Sequence, residues 1–155
     1  MGEGAPMTDI GFYHLLNTPL ERALPKLLEK VLGSGARAVV MAGSEERVEA
    51  LNAALWLYHA NAFLPHGSAR DGFAADQPIW LTIEDENPND ATVLILTDGA
   101  GTASIDGYER CLEMFDGSDA DAVAAARGRW KAYGEAGYSV TYWRQSDNGG
   151  WEKGD

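Results

Sequence analysis

Short apolar runs rich in β-branched and aromatic residues alternate along this chain with longer stretches whose apolar residues recur every three to four positions. Residues 10–16 (IGFYHLL), 36–42 (ARAVVMA), 78–83 (PIWLTI), 92–97 (TVLILT) and 138–143 (YSVTYW) have the length and composition of strands. Between the first two, Leu20, Leu24, Leu27, Leu28, Val31 and Leu32 keep a helical rhythm. Each strand type needs both faces covered, and each helix must bury one stripe. The pattern therefore predicts an α/β three-layer sandwich around a mostly parallel sheet.

The punctuation agrees. Thr18 is placed to cap the first helix with Pro19 at its first position, and Gly33-Ser34-Gly35 ends it. Pro25 lies one and a half turns in, which implies a kink or a later true start. Ser44 is placed to cap a second helix, with Arg47 where a capping box would carry Glu, and Val48, Leu51, Leu55 and Tyr58 as its core stripe. Trp56 falls about 120° from the centre of that stripe at 100° per residue, so it is predicted partly exposed. Residues 62–67 read as a loop, with a polar stretch to Gln77, and residues 84–90 and 98–101 as turns. Residues 105–116 read as a short helix near Tyr108 running into a strand that ends at Phe115. Ser118, with Asp119 and Asp121 in the first turn, is expected to start a last helix that runs to about Ala136. Residues 7–144 form one domain in this reading. Residues 1–6 are read as an expression scar or an extended start, and 145–155 as a frayed, flexible tail.

Composition narrows the function. Twelve basic residues face 24 acidic ones, for a formal net charge of -12. Such a body repels nucleic acid, so tight direct DNA binding is not expected. Thirteen acidic residues against the single base Arg110 lie between Asp71 and Asp121, a solvated acidic face. No apolar run approaches the roughly 20 residues that span a membrane. Cys111 stands alone, which excludes an internal disulfide and suits the cytoplasm.

Motifs for catalysis are missing. No phosphate-binding GxxxxGK[ST] loop or GxSxG elbow occurs. Residues 99–104 (GAGTAS) approximate GxGxxG after a strand, with Ser104 in place of the third glycine. A nucleotide-binding or small-molecule α/β enzyme using that turn is the rival reading. His14, His59 and His66 lack the spacing of a metal site, and His59 falls near a core stripe. Glu84-Asp85-Glu86 reads as an acidic turn rather than a cation site. No cofactor or metal is expected.

Against this background one stretch stands out. Arg127, Arg129 and Lys131 fall within five positions, interleaved with Trp130 and Tyr133. On a helical wheel Ala122, Ala126 and Tyr133 share a face within about 40°, Val123 and Trp130 adjoin it, Arg127 and Lys131 flank Trp130, and Arg129 lies on the opposite flank. A basic and aromatic island on an acidic body can take one small anion, such as a carboxylate with an apolar neighbour: an aromatic wall with guanidinium and ammonium donors suits a peptide C-terminus. The bland alternative is that the aromatics are core and the cations a solvated border.

These residues also carry a resemblance. The chain resembles the chi subunits of bacterial DNA polymerase III, accessory proteins of the clamp-loader complex. The shared pattern is Phe12-Tyr13, Ala54-Leu55-Trp56, Phe63-Leu64-Pro65-His66, Ala126-Arg127-Gly128-Arg129-Trp130-Lys131-Ala132-Tyr133, Ala136-Gly137 and the closing aromatic strand, over residues 8–143. The resemblance implies a Rossmann-like fold without a nucleotide site, and a non-catalytic subunit of a polymerase whose nucleotidyltransferase activity resides elsewhere. It further implies a link to single-stranded DNA-binding protein through that partner's acidic C-terminal tail, which ends in an aromatic residue. Arg127 and Trp130 match the gripping residues, with Lys131 beside them and Trp56 matching the second-helix tryptophan. Members often carry Tyr where Trp130 stands, and some carry a base where this chain has Val123. Clamp-loader subunits are the other implied partners, a psi subunit among the candidates, with no interface residue assigned.

Overall fold

The computed structural model describes residues 8–16, 18–58, 66–69, 71–146 and 150–154. In chain order the elements are β1 (Asp9–Leu15), α1 (Leu20–Gly33), β2 (Ala38–Met41), α2 (Glu45–Leu57), β3 (His66–Ser68), β4 (Ile79–Thr82), β5 (Val93–Leu96), β6 (Arg110–Asp116), α3 (Ala120–Glu135), β7 (Ser139–Gln145) and β8 (Trp151–Gly154). Single 3-10 turns lie at Ala74–Asp76 and Ile105–Gly107. The strands form one sheet in the order β3-β4-β2-β5-β6-β1-β7-β8, parallel throughout except for the antiparallel β7–β8 pair.

Strand periodicity sorts the core into two layers. Tyr13, Leu15, Ala38, Val40, Ile79, Leu81, Val93, Ile95, Leu112 and Met114 face α1 and α2. Ile10, Phe12, Val39, Met41, Leu94, Leu96, Cys111, Phe115 and Tyr142 face the other way, toward α3. The expected three-layer sandwich is therefore present, with two helices on one face and one on the other. α1 buries Leu24, Leu27, Leu28 and Val31, the residues that its periodicity selects, and runs from Leu20 straight through the buried Pro25. Each such leucine contributes roughly 1.5–3 kcal/mol by leaving water.

Several local expectations give way. Pro19, not Thr18, is the N-cap of α1, and it makes no side-chain cap. Thr18 is instead held by Gln145: the Gln145 side-chain carbonyl accepts from the amides of Leu16 and Thr18 at 3.1 Å, and its amide donates to the Thr18 hydroxyl at 2.9 Å. Asp119 caps α3 by accepting from the amides of Asp121 and Ala122, while Ser118 donates to Asp116. His66–Ser68, expected as loop, is the edge strand β3 paired to β4. The frayed tail expected from Gln145 onward contains β8, where Trp151 packs edge-on against Tyr13 at 5.0 Å between ring centres. That contact supplies the apolar anchor which a polar, glycine-rich segment does not advertise. His59 and residues 63–65 lie outside the described residues, as do 1–7.

Ser44 caps α2 as expected, accepting from the Arg47 amide. The Arg47 side chain then bridges Glu21 at 3.0 Å and Asp98 at 3.2 Å, tying α2 to α1 and to the turn after β5.

Candidate carboxylate-binding site on the last helix

α3 lies on the sheet over β6, β7 and β1. Ala126 makes this approach possible: it is fully buried, and its methyl lets the helix backbone sit close to the strands. With Ala126 pointing down, the helix geometry decides where its neighbours go.

Tyr133 goes down with it. It is half-buried against Phe12, 6.2 Å between ring centres, and Tyr138 at 5.8 Å, and burial raises its hydroxyl pKa. The residue proposed as part of an aromatic wall is mainly core. Arg129 also turns inward, on the opposite flank. Its Nε donates to the Glu113 carboxylate at 2.6 Å, and a guanidinium amino group contacts the same oxygen. Glu113 is almost completely buried under α3, its second oxygen has no protein partner, and burial raises its pKa against the lowering effect of Arg129. Arg129 is thus committed to a structural ion pair.

Arg127, Trp130 and Lys131 remain on the open face, with Trp130 about one-third exposed. Arg127 faces β7, where its positive charge acts on the Tyr142 hydroxyl. Burial raises the Tyr142 pKa, and the Arg127 and Arg144 guanidinium groups pull it back. Tyr142 also shares a 2.5 Å hydrogen bond with His14 Nδ1. His14 is buried, packs with a tilted ring at 5.0 Å from that of Phe115, and has its pKa lowered first by burial and then by Arg144 and Arg127. Gly117 is required here: a Cβ at that position would collide with the His14 ring and the Leu15 carbonyl. Among the described residues no carboxylate lies within ion-pair distance of Arg127 or Arg144.

Trp56 is elsewhere. It is 68% exposed on α2, across the sheet from α3, and its ring lies 4.6 Å from that of His66 on β3. The sequence-based exposure of Trp56 holds, but the fold does not bring it to Arg127 and Trp130. Tyr142, His14 and Arg144 are the residues that sequence reading missed. Their signal was present: continuing the alternation of β7 by one residue past Trp143 puts Val140, Tyr142 and Arg144 on one side.

Two recesses lie in the described surface. One of about 760 Å³ lies at the carboxyl ends of β1 and β6, between the N-termini of α1 and α3, where an open α/β sheet most often holds a ligand. Glu21, Asp98, Asp116, Asp119 and Asp121 line it, and its arginines, Arg47 and Arg129, are both paired. A phosphate would meet net negative charge there. In the neighbouring 99–104 turn three amides are engaged internally: Ala100 donates to Thr97, Ala103 to Asp85 and Ser104 to Thr102. The second recess, about 540 Å³, lies on the α1 side of the sheet, with Lys26, Lys30 and Arg110 beside Tyr13, Trp143 and Trp151. Among the described residues no group of His, Cys, Asp and Glu could hold a metal ion, and no helix is long and apolar enough to cross a membrane.

Comparison with known proteins places this geometry. The model of the family described as DNA polymerase III chi subunit, HolC, matches residues 7–141. A probable DNA polymerase III subunit chi of Rickettsia prowazekii (strain Madrid E) is 34% identical over 109 residues. The alignment covers 70% of this chain and 66% of the relative, just under two thirds of the relative's length.

Proposed function

Because the chain belongs to the DNA polymerase III chi subunit family, we propose that it is a non-catalytic accessory subunit of the replicative polymerase, acting in the cytoplasm. It links the clamp-loader complex to single-stranded DNA-binding protein by holding that partner's acidic C-terminal tail. The observation that carries this reading is the convergence of Arg127, Trp130 and Lys131 on one open face of α3 in a protein of net charge -12, with Arg127 free of any carboxylate partner among the described residues. An unpaired guanidinium beside a part-exposed indole offers charge-assisted hydrogen bonds to a carboxylate and an apolar wall to the side chain that bears it. The acidic lining of the larger recess, and Asp85 on the Ala103 amide and the Thr102 hydroxyl of the 99–104 turn, weigh against the nucleotide-binding rival.

Calorimetric titration with a peptide of aspartates ending in phenylalanine tests the site. Arg127→Ala is expected to weaken binding by about 1.5–3 kcal/mol with the fold intact. Unchanged affinity in both Arg127→Ala and Trp130→Ala would move the tail to another surface, of which the recess at Lys26, Lys30 and Arg110 is the other basic and aromatic one. Trp56, on the far face, is not part of the tail site in this reading and is available to a clamp-loader partner.

A further inference from the structure

β7 brings to the face that α3 presents a second cation, Arg144, with no ion pair among the described residues. Arg144 stands beside His14 in the β1–β7 register, and on the same side of β7 as Tyr142, two residues earlier. It is exposed at its tip. Its charge acts on the same two groups as that of Arg127, the Tyr142 hydroxyl and the His14 ring. Two guanidinium groups on different elements therefore act on one hydroxyl, and the β1–β7 register sets one of them, Arg144, beside the His14 ring to which that hydroxyl is bonded. The first turn of α3 offers no cation of its own there, since its N-cap is Asp119 and it holds Asp121 and Val123.

We propose that Arg144 is the second cation of the tail site, and that with Arg127 and the Tyr142 hydroxyl it forms a clamp for a terminal carboxylate. This rests on the reading of α3 as the tail-binding helix. A carboxylate has two oxygens in one plane, and two guanidinium groups approaching from different elements can each serve one of them. Tyr142 is fixed between them because its hydroxyl is tied to His14, and His14 is fixed by Phe115 and the close turn at Gly117. Glu152 lies across from Arg144 in the β7–β8 register, and among the described residues no ion pair engages the Arg144 guanidinium.

The clamp has a built-in reporter. The groups facing His14 are Tyr142 and Arg144 from β7, Arg127 from α3, and Asp116 from β6, the last already engaged by Ser118. In the free protein burial first, and then the two arginines, hold the imidazole below its ordinary pKa. A carboxylate placed between the arginines cancels part of their field, so the clamp predicts that the imidazole pKa rises on binding and that binding takes up protons between the free-state and bound-state values.

The experiment titrates the intact protein with two synthetic peptides, four aspartates followed by phenylalanine, one with a free C-terminal carboxylate and one amidated. Arg144→Ala is expected to weaken the free-acid peptide about 3–10-fold, the range between an exposed ion pair and a charge-assisted hydrogen bond. It should change the amidated peptide less than twofold, Arg144→Lys should recover part of the loss, and Lys26→Ala on the opposite face should change neither. Proton NMR of His14 should show its pKa rising with the free-acid peptide and rising less with the amide. If Arg127→Ala weakens binding while Arg144→Ala and the His14 titration are indifferent to the terminal carboxylate, the clamp is wrong and the tail reading stands. If Arg127→Ala also leaves affinity unchanged, the tail reading itself fails.

Discussion

Replacing Arg129 by alanine separates structural from binding roles within five residues of one helix. The pattern of alternating cations and aromatics puts Arg129 with the tail-binding group, but the fold directs it to Glu113, which is 3% exposed while the arginine side chain is 29% exposed. Removing one partner of a buried pair costs roughly 3–5 kcal/mol, because the other charge is left without compensation. Arg129 is partly solvated, so the expected loss is nearer 2–4 kcal/mol. For a domain of this size that lowers the melting temperature by roughly 6–12 °C. The pH dependence has a definite sign. Burial already raises the Glu113 pKa, and losing Arg129 raises it further. The protonated acid needs no cation, so the destabilisation should be largest above the raised pKa and shrink as the pH falls through it. Glu113→Gln in the Arg129→Ala background should recover most of the loss. Thermal melts at pH 5 and pH 7.5, with tail titrations on the folded variants, give the answer. A variant with full thermal stability and abolished tail binding would show that Arg129 works at the surface and that the buried pair is not what holds it.

Three further outcomes follow from the same geometry. Gly117→Ala should destabilise the protein by about 2–3 kcal/mol and weaken tail binding, since the added methyl collides with the His14 ring and the Leu15 carbonyl; wild-type stability by denaturant titration would contradict the close turn. Cys111, buried and with its thiol pushed up to about 12 by burial and then by Glu113, should resist alkylation at pH 8 until the protein unfolds, and rapid labelling of native protein by mass spectrometry would contradict that burial. Tail binding should weaken with salt yet leave a residue that Trp130→Ala removes, because screening at about 8–10 Å reduces the local attraction but not the apolar contact; affinity that rises with salt in a titration series would mean that the net charge of -12 governs the encounter.

How far the chain could be read from its letters depended on whether the information was local. The helix rhythm of Leu24, Leu27, Leu28 and Val31, the apolar run of β1, the strand at β7, and the Gly33–Gly35 and Gly137 stops all appear where expected, because period and capping are properties of neighbouring residues. The exposure of Trp56 and the inward turn of Ala126 also follow from the wheel alone. What the letters could not convey was which distant groups meet. β8 is polar and glycine-rich, and becomes a strand because Trp151 finds Tyr13. Thr18 loses its cap role because Gln145, 127 residues away, supplies better hydrogen bonds.

The candidate site divides in the same way. Its class, a cationic and aromatic patch on an acidic protein, was legible in residues 127–133 taken alone. Its membership was not. Arg127 and Arg129 have the same side chain and lie two residues apart, yet one faces Tyr142 on β7 and the other a buried carboxylate on β6. A helix turns about 200° between them, so which of the two is available to a ligand is set by what the sheet places on each flank. Trp56 and Trp130 are the same residue type and both reach the surface, but they are held on opposite faces of one sheet, because α2 returns on the side of α1 and α3 on the other. Sequence by itself determined the periodicities, the layer count and the chemical character of the patch. Only the tertiary structure decided the partners, since burial, ion pairing and convergence between separate strands depend on the order β6-β1-β7, which no local pattern encodes.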